Sequence, residues 1–323
     1  MKAALLTFIA STAEATKWFE LEGYTYSKWV AEYKPWHAGN ESVFNANLDS
    51  IRAHNKDETS TWKQGVNQFT GMTKGKFFVY MCNLIENPTT CSLISFPLLH
   101  LPCPISADEF RATLSGYKTR HAQAQAARDL AQKAPLESHV PLSALPASLD
   151  WREKGVVTPV KDQGQCGGCW SFSSAETSES FVAIATKKLM VFSEQQILSC
   201  SVNPLQCGGT GGCSGATQEI AFNYSSVDGL TLEKDYPYRA QTGKCDRAKI
   251  KPAAHIKGFV FLPPNNYSAL MNAVVQEGPI AISAAAEPWQ SYESGVFKSD
   301  CGSDVDHAIV LVGYGTDPKD GGA

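Results

Sequence analysis

The sequence predicts an α+β protein in which a helical half precedes a β half, with a further helical segment ahead of both. Three observations carry this. From Cys169 the run Trp170-Ser171-Phe172-Ser173-Ser174-Ala175-Glu176 reads as the start of a long helix reaching about Lys188. Beyond about Lys251 the chain turns β-rich, with strands expected at Pro279–Ser283 and Ala308–Gly313. Upstream, Phe44, Asn47, Ile51 and Asn55 recur three or four apart, which puts them on one face of a helix. A chain of 323 residues is long enough for two or more core-forming units.

Taken in order, the chain opens with Lys2 and then the apolar Ala3-Ala4-Leu5-Leu6-Thr7-Phe8-Ile9-Ala10, followed by a small-x-small site at Ala13-Glu14-Ala15. Residues 1–15 are therefore expected to be a secretory signal. The apolar run is too short to span a bilayer, so no membrane association is expected after its removal. Ten cysteines fit an oxidising compartment, and sequons at Asn40, Asn223 and Asn266 agree with it. A net charge of −4 gives no electrostatic case for nucleic acid. The helix of Phe44 to Asn55 follows, then Gly65-Val66-Asn67-Gln68-Phe69-Thr70-Gly71.

Residues 74–106 break this pattern. Without them Met72-Thr73 runs directly into Ala107-Asp108-Glu109-Phe110. The insert is 33 residues, a whole number of codons, and Phe96 to Pro104 uses amino acids with pyrimidine-rich codons. It is expected to be a retained intron translated in frame, since a loop this long and apolar is rare in a compact domain. Residues 118–144 are Ala/Gln-rich and then Pro-punctuated, with a weak helix possible at His121 onward, and read as a linker suited to proteolytic nicking. The remainder, 145–323, starts near Leu145-Pro146. Its helices are the one after Cys169, one opened by the capping box Ser193-Glu194-Gln195-Gln196, and one carrying the stripe Ala216, Ile220, Tyr224.

The chemistry is concentrated in Gln163-Gly164-Gln165-Cys166-Gly167-Gly168-Cys169-Trp170. A thiol at the start of a helix sits at the positive end of its dipole, which favours the thiolate. Far downstream, Val305-Asp306-His307-Ala308 offers an imidazole to pair with it. Gln163 can donate an amide N–H to a developing oxyanion. A competing reading takes Cys166 and Cys169 as a redox pair or half of a zinc site. It leaves Gln163, Trp170 and His307 unexplained, and no second C-x-x-C stands at zinc-finger spacing.

At these residues the chain resembles the papain family of cysteine peptidases. Further matches are Leu149-Asp150-Trp151-Arg152, Tyr236-Pro237-Tyr238 and Gly313-Tyr314-Gly315, so the resemblance runs from about Tyr24 to Gly315. It implies a papain-like two-domain fold, with the site in the cleft between a helical half and an antiparallel β half. It also implies Cys169 as nucleophile, His307 as acid/base and Gln163 as oxyanion donor. The activity would be that of an endopeptidase zymogen acting on proteins or peptides, monomeric, without metal or cofactor, and secreted or lysosomal/vacuolar. Residues 16–73 and 107–117 would form the inhibitory prosegment. In that prosegment Gly71 stands where the family has an acid, and Trp36 and Asn40 stand where it has Glu and Arg. Substrate would be bound by Gly215, Ala216, Thr217, Gln218, Ser283, Val305, Asp306 and Ala308.

The resemblance implies a bridge from Cys166 to Cys213, with Cys207 as the other candidate partner, and a second from Cys200 to Cys245. Cys301 would pair beyond the end of the chain, and Cys207 would be left over. The family's Asn-Ser-Trp segment and closing strands would follow Gly315. The chain as given stops at Ala323 without them, so the β half is expected to be incomplete. An inactive homologue that binds or inhibits other proteins is the alternative.

Overall fold

The computed structural model describes residues 21–33, 40–72, 140–204, 206–263, 266–298 and 305–316. The expected signal, the insert at 74–106, the prosegment piece at 107–117 and most of the linker lie outside these residues.

The first helical segment is built by aromatic burial. Helix α1 (Tyr26–Tyr33), which the sequence reading did not foresee, buries Trp29 completely. Helix α2 (Glu41–Lys56) begins where the Asn40 side chain accepts the N–H groups of Ser42 and Val43. Its buried face is Phe44, Leu48 and Ile51, packed with Leu21, Tyr24, Trp29 and Val66. The two asparagines on that face hold the next segment instead of filling the core. Asn47 Nδ2 donates to the carbonyls of Thr70 and Met72 at 2.7 and 2.8 Å. Asn55 exchanges two bonds with the backbone of Gln64, at 2.7 and 2.8 Å. Trp29 Nε1 donates to the carbonyl of Asn67 at 2.8 Å, and its ring lies against Gly71, where a Cβ would sit 2.4 Å from Cη2. That contact explains why no acid occupies position 71: an indole fills the space.

This segment docks on the β half by strand addition. Strand β1 (Trp62–Gln64) pairs antiparallel with residues Tyr292–Gly295. Farther along, β2 (Leu149–Asp150) leads to the loop before helix α3 (Cys169–Thr186). Helix α3 is buried on nearly all sides and stops where Lys187 turns left-handed at φ 61°. Helix α4 (Glu194–Cys200) starts as expected, with Ser193 Oγ accepting the Gln196 N–H. Only half of the capping box forms. The Gln196 side chain turns away to Tyr224 Oη, the Gly229 carbonyl and the Thr231 N–H, because those buried groups need partners. Helix α5 (Gln218–Asp228) begins two residues after Ala216 and buries Ile220, Ala221 and Tyr224. Trp170, Phe192, Ile197, Leu198 and Leu230 complete the core of this half.

Strands β3 (Leu230–Thr231) and β4 (Pro252–Ala254) pair antiparallel. The β half is not purely strands. Helix α6 (Tyr267–Gln276), not expected from sequence, is capped by Asn266 accepting the Ala269 N–H and buries Ala269, Met271, Ala273 and Val274. The backbone of Val140 exchanges two bonds with the side-chain amide of Asn272 in α6, at 2.9 and 3.2 Å. Strands β5 (Ile280–Ala284) and β6 (Tyr292–Gly295) follow, and β6 takes β1 as its antiparallel neighbour. Finally β7 (His307–Leu311) pairs with β5 and β8 (Gly313–Tyr314) with β2, all antiparallel. The expected strands at Pro279–Ser283 and Ala308–Gly313 thus appear shifted by a residue, the second broken at Val312.

Candidate active site

Cys169 is the first residue of α3, behind Gly168. The loop before it is pinned on both sides of the sulfur. Cys166 is bonded to Cys213, the Gly167 N–H donates to the Cys213 carbonyl at 3.0 Å, and Trp170 Nε1 donates to the Gly212 carbonyl at 3.1 Å. Cys166 and Trp170 are both fully buried, so the motif locks its two flanks and leaves Cys169 between them, half-buried and with a free thiol. With Cys166 in that bridge, Cys169 has no neighbour in the motif for a redox pair. A second bridge joins Cys200 to Cys245. Cys207 corrects an expectation: it is disulfide-bonded, not left over, and its partner lies outside the described residues.

His307 opens β7, and one hydrogen bond sets the register between that strand and α3. Ser173 Oγ donates to the Ile309 carbonyl at 3.1 Å in a buried contact. Ser173 is four residues along the helix from Cys169, and Ile309 is two along the strand from His307. These steps measure about 6.0 and 6.7 Å, so Cys169 and His307 stand at similar distances from the docked pair. The Ala308 backbone acts on the Cys169 thiol in the direction that favours the thiolate. Asp306 carries the turn before His307: its N–H donates to the Ala284 carbonyl and its Oδ1 accepts the Ala286 N–H at 2.7 Å. His307 Nδ1 is buried without a hydrogen-bond partner.

Two opposing effects act on the expected thiolate. Burial pushes the Cys169 thiol up, while the N–H groups of Ala308 and Trp170 pull the other way and Asp306 adds to the rise. Burial alone takes His307 down to about 4. A helix N-terminus stabilises charge by a few tenths to about 1 kcal/mol, which desolvation outweighs here. In this conformation burial opposes the charged forms of both residues, and the backbone N–H groups at the helix start favour the thiolate.

Gln163 is half-buried on the same loop. Its Nε2 donates to the Cys166 carbonyl at 3.0 Å, and its own carbonyl accepts from Tyr238 Oη at 2.8 Å. Of the expected substrate-binding residues, Gln218 joins the halves, its Nε2 reaching the Ile282 carbonyl and Ser283 Oγ at 3.1 and 3.2 Å. Ser283 faces Ala308 across the β5–β7 pair. Thr217 Oγ1 is buried without a partner. Gly215, at φ 86°, accepts the Gly211 N–H through its carbonyl, and Ala216 packs against the core of the helical half. Val305 is exposed.

Sequence reasoning missed a buried carboxylate group behind the loop. The Lys161 ammonium pairs with Glu179 at 2.6 Å and with Glu194. Glu179 also accepts from Thr158 Oγ1 and the Phe192 N–H. Burial works against the charge of Lys161, but Glu194 and Glu179 overcome it and raise its pKa. Burial pushes Glu176 up to about 8 and Glu233 up to about 7, and it raises Glu194 as well. Scattered from Glu176 to Glu233, these acids carry no local motif. Glu176 and Glu179 at helical spacing in a sequence otherwise rich in Ser and Ala were the available signal.

Comparison with known families matches residues 145–321 to the papain family cysteine proteases. Vignain of Phaseolus vulgaris is 35% identical over 288 residues, covering 83% of this chain and 76% of that protein. Oryzain beta chain of Oryza sativa subsp. japonica is 36% identical over 306 residues, 90% of this chain but 56% of that protein. Among solved structures, the proform of the Amb a 11 cysteine protease, a major ragweed pollen allergen, superposes with a TM-score of 0.67 at 30% identity. That match covers 93% of this chain and 81% of the other.

Proposed function

This chain belongs to the papain family of cysteine proteases, and on that premise we propose that it is a cysteine endopeptidase zymogen. Cys169 is the nucleophile, His307 the acid/base and Gln163 the oxyanion donor. The reading is supported by the Ser173–Ile309 hydrogen bond, which docks α3 on β7, the two elements that Cys169 and His307 open. On substrate binding the thiol proton passes to His307, and the thiolate attacks the peptide carbonyl. The oxyanion takes N–H bonds from Gln163 and from the backbone of Cys169. The imidazolium then returns its proton to the leaving amine. In the second half, His307 takes a proton from water as it attacks the thioester, and the proton goes back to the sulfur as the acid leaves.

Gly215, Ala216, Thr217, Gln218, Ser283, Val305, Asp306 and Ala308 form the peptide-binding surface. Residues 16–73 and 107–117 act as an intramolecular inhibitor, anchored by the β1–β6 pairing and by Asn67 Nδ2 on the Gln290 carbonyl at 2.6 Å. Residues 74–106 are an insert within that prosegment, and 118–144 the linker cut on activation. A signal at 1–15 sends the protein outward or to a lysosome or vacuole. No helix among the described residues is long and apolar enough to cross a membrane.

A peptidyl epoxide or iodoacetamide probe tests the assignment. One label per chain is expected, abolished by Cys169→Ser. Labelling that survives in this variant would sink it.

A further inference from the structure

Gln163 lies on a loop without regular secondary structure, yet an oxyanion donor must be held to a fraction of an ångström. Cys166 and Gly167 are fixed by Cys213, but those ties act three and four residues downstream. The Gln163 side chain is tied to the Cys166 carbonyl within the same loop, and its backbone is held by Tyr238, 75 residues away, whose Oη donates to the Gln163 carbonyl at 2.8 Å. The same hydroxyl backs the residue before the nucleophile: a Cβ on Gly168 would stand 3.1 Å from it. The Tyr238 ring meets Phe172, one turn into α3, edge-on at a centroid distance of 4.8 Å.

Tyr238 is a fixed post. Its N–H donates to Glu233 Oε1 at 2.7 Å, and the next N–H, of Arg239, donates to Gln195 Oε1 at 2.8 Å. Two residues earlier, the Tyr236 carbonyl accepts from Ser193 Oγ at 2.5 Å. Ser193 and Gln195 are both buried at the start of α4. The segment therefore rests on the core of the helical half.

We propose that Tyr238 is a positioning residue for the oxyanion site: its hydroxyl fixes the backbone of Gln163 relative to Cys169, and so aims the Gln163 amide at the tetrahedral intermediate. This rests on the role given to Gln163 above. Tyr238 touches neither substrate nor the reacting atoms.

The test uses the full chain, activated, as Tyr238→Phe, Gln163→Ala and the double variant. Tyr238→Phe keeps the ring against Phe172 and removes only the hydroxyl. A peptide aldehyde forms a hemithioacetal that needs the oxyanion site, and its affinity is read by protection of Cys169 from iodoacetamide. Alkylation by iodoacetamide forms no oxyanion and serves as the internal control. Tyr238→Phe is expected to weaken aldehyde binding and lower kcat about tenfold, within the range for a misplaced group. KM, the alkylation rate and Tm should stay close to the parent. Gln163→Ala should cost more, roughly a hundredfold, and the double variant no more than Gln163→Ala alone, as expected of coupled residues. Unchanged aldehyde affinity in Tyr238→Phe, beside a loss in Gln163→Ala, would overturn the positioning role and leave Gln163 standing. Additive losses, or alkylation slowed as much as aldehyde binding, would also overturn it. No loss in Gln163→Ala would overturn the role of Gln163 and this inference with it.

Discussion

Glu176 gives the fold a stability that should fall as pH rises. It lies on α3 three residues beyond Ser173, near Lys161, Glu179 and Glu194, and its carboxyl makes no hydrogen bond among the described residues. Burial lifts it from an ordinary 4.5 to about 8, with Lys161 opposing and the two glutamates adding. Between those values the unfolded chain is ionised there while the folded chain holds a proton. Unfolding then releases a proton, so stability decreases from about pH 4.5 to about pH 8 and is flat beyond. At about 1.4 kcal/mol per pH unit the ceiling is about 5 kcal/mol. Glu176 keeps some contact with solvent, which screens it, so roughly half of that is expected. Glu176→Gln keeps the shape and removes the titration. At pH 8 the variant should exceed the parent by about 2–3 kcal/mol, or roughly 5–10 °C in Tm for a domain of this size. Near pH 4.5 the two should coincide. Thermal unfolding followed by fluorescence from pH 4.5 to 8.5 reads this directly. Glu233, raised to about 7, leaves a shallower slope in the variant. Parallel curves for the two proteins, or a less stable variant at pH 8, would refute the reasoning.

Two further outcomes follow from the same geometry. Because burial raises the Cys169 thiol and takes His307 down to about 4, iodoacetamide alkylation of the intact full chain should climb with pH through the alkaline range. A flat, high rate from pH 5 to 8 would mean that the pair is already ionised. Gly71→Ala should loosen the first helical segment, since the new Cβ would stand 2.4 Å from a fully buried Trp29. Overpacking of this kind costs about 1–3 kcal/mol, so cleavage of residues 21–72 by an added protease should speed up about tenfold. Unchanged cleavage would show that the indole can shift.

The papain-like α+β architecture was legible because its signals are local: a helix start at Cys169, a cap at Ser193, apolar strands after Pro279. Helix α6 was not, because Tyr267–Gln276 sits in a stretch dominated by strand signals, and only Asn266, a cap three residues before Ala269, marks it. Helix α1 rests on Trp29, with Tyr26 and Tyr33 packed beside it, and its partners Phe44, Val66, Asn67 and Gly71 lie far along the chain. Gly71 by sequence alone is a missing acid, and the indole beside it gives the glycine a packing reason.

The site divides along the same line. Residue types that perform a reaction are recognisable one at a time, so Cys169, His307 and Gln163 could be picked out. The groups that hold them are ordinary residues that matter only through contact. Ser173 is one serine in a serine-rich helix, and its role appears only when Ile309 accepts its hydroxyl. The opposition that burial sets against the Cys169 thiolate is not legible in sequence for a related reason. A helix start can be read from sequence and adds a small favourable field. Burial depends on what packs over the sulfur, and it carries the larger energy. The charge state of Cys169 is thus set by the surroundings that docking α3 against β7 creates, and what opens those surroundings to water or substrate should also release the nucleophile.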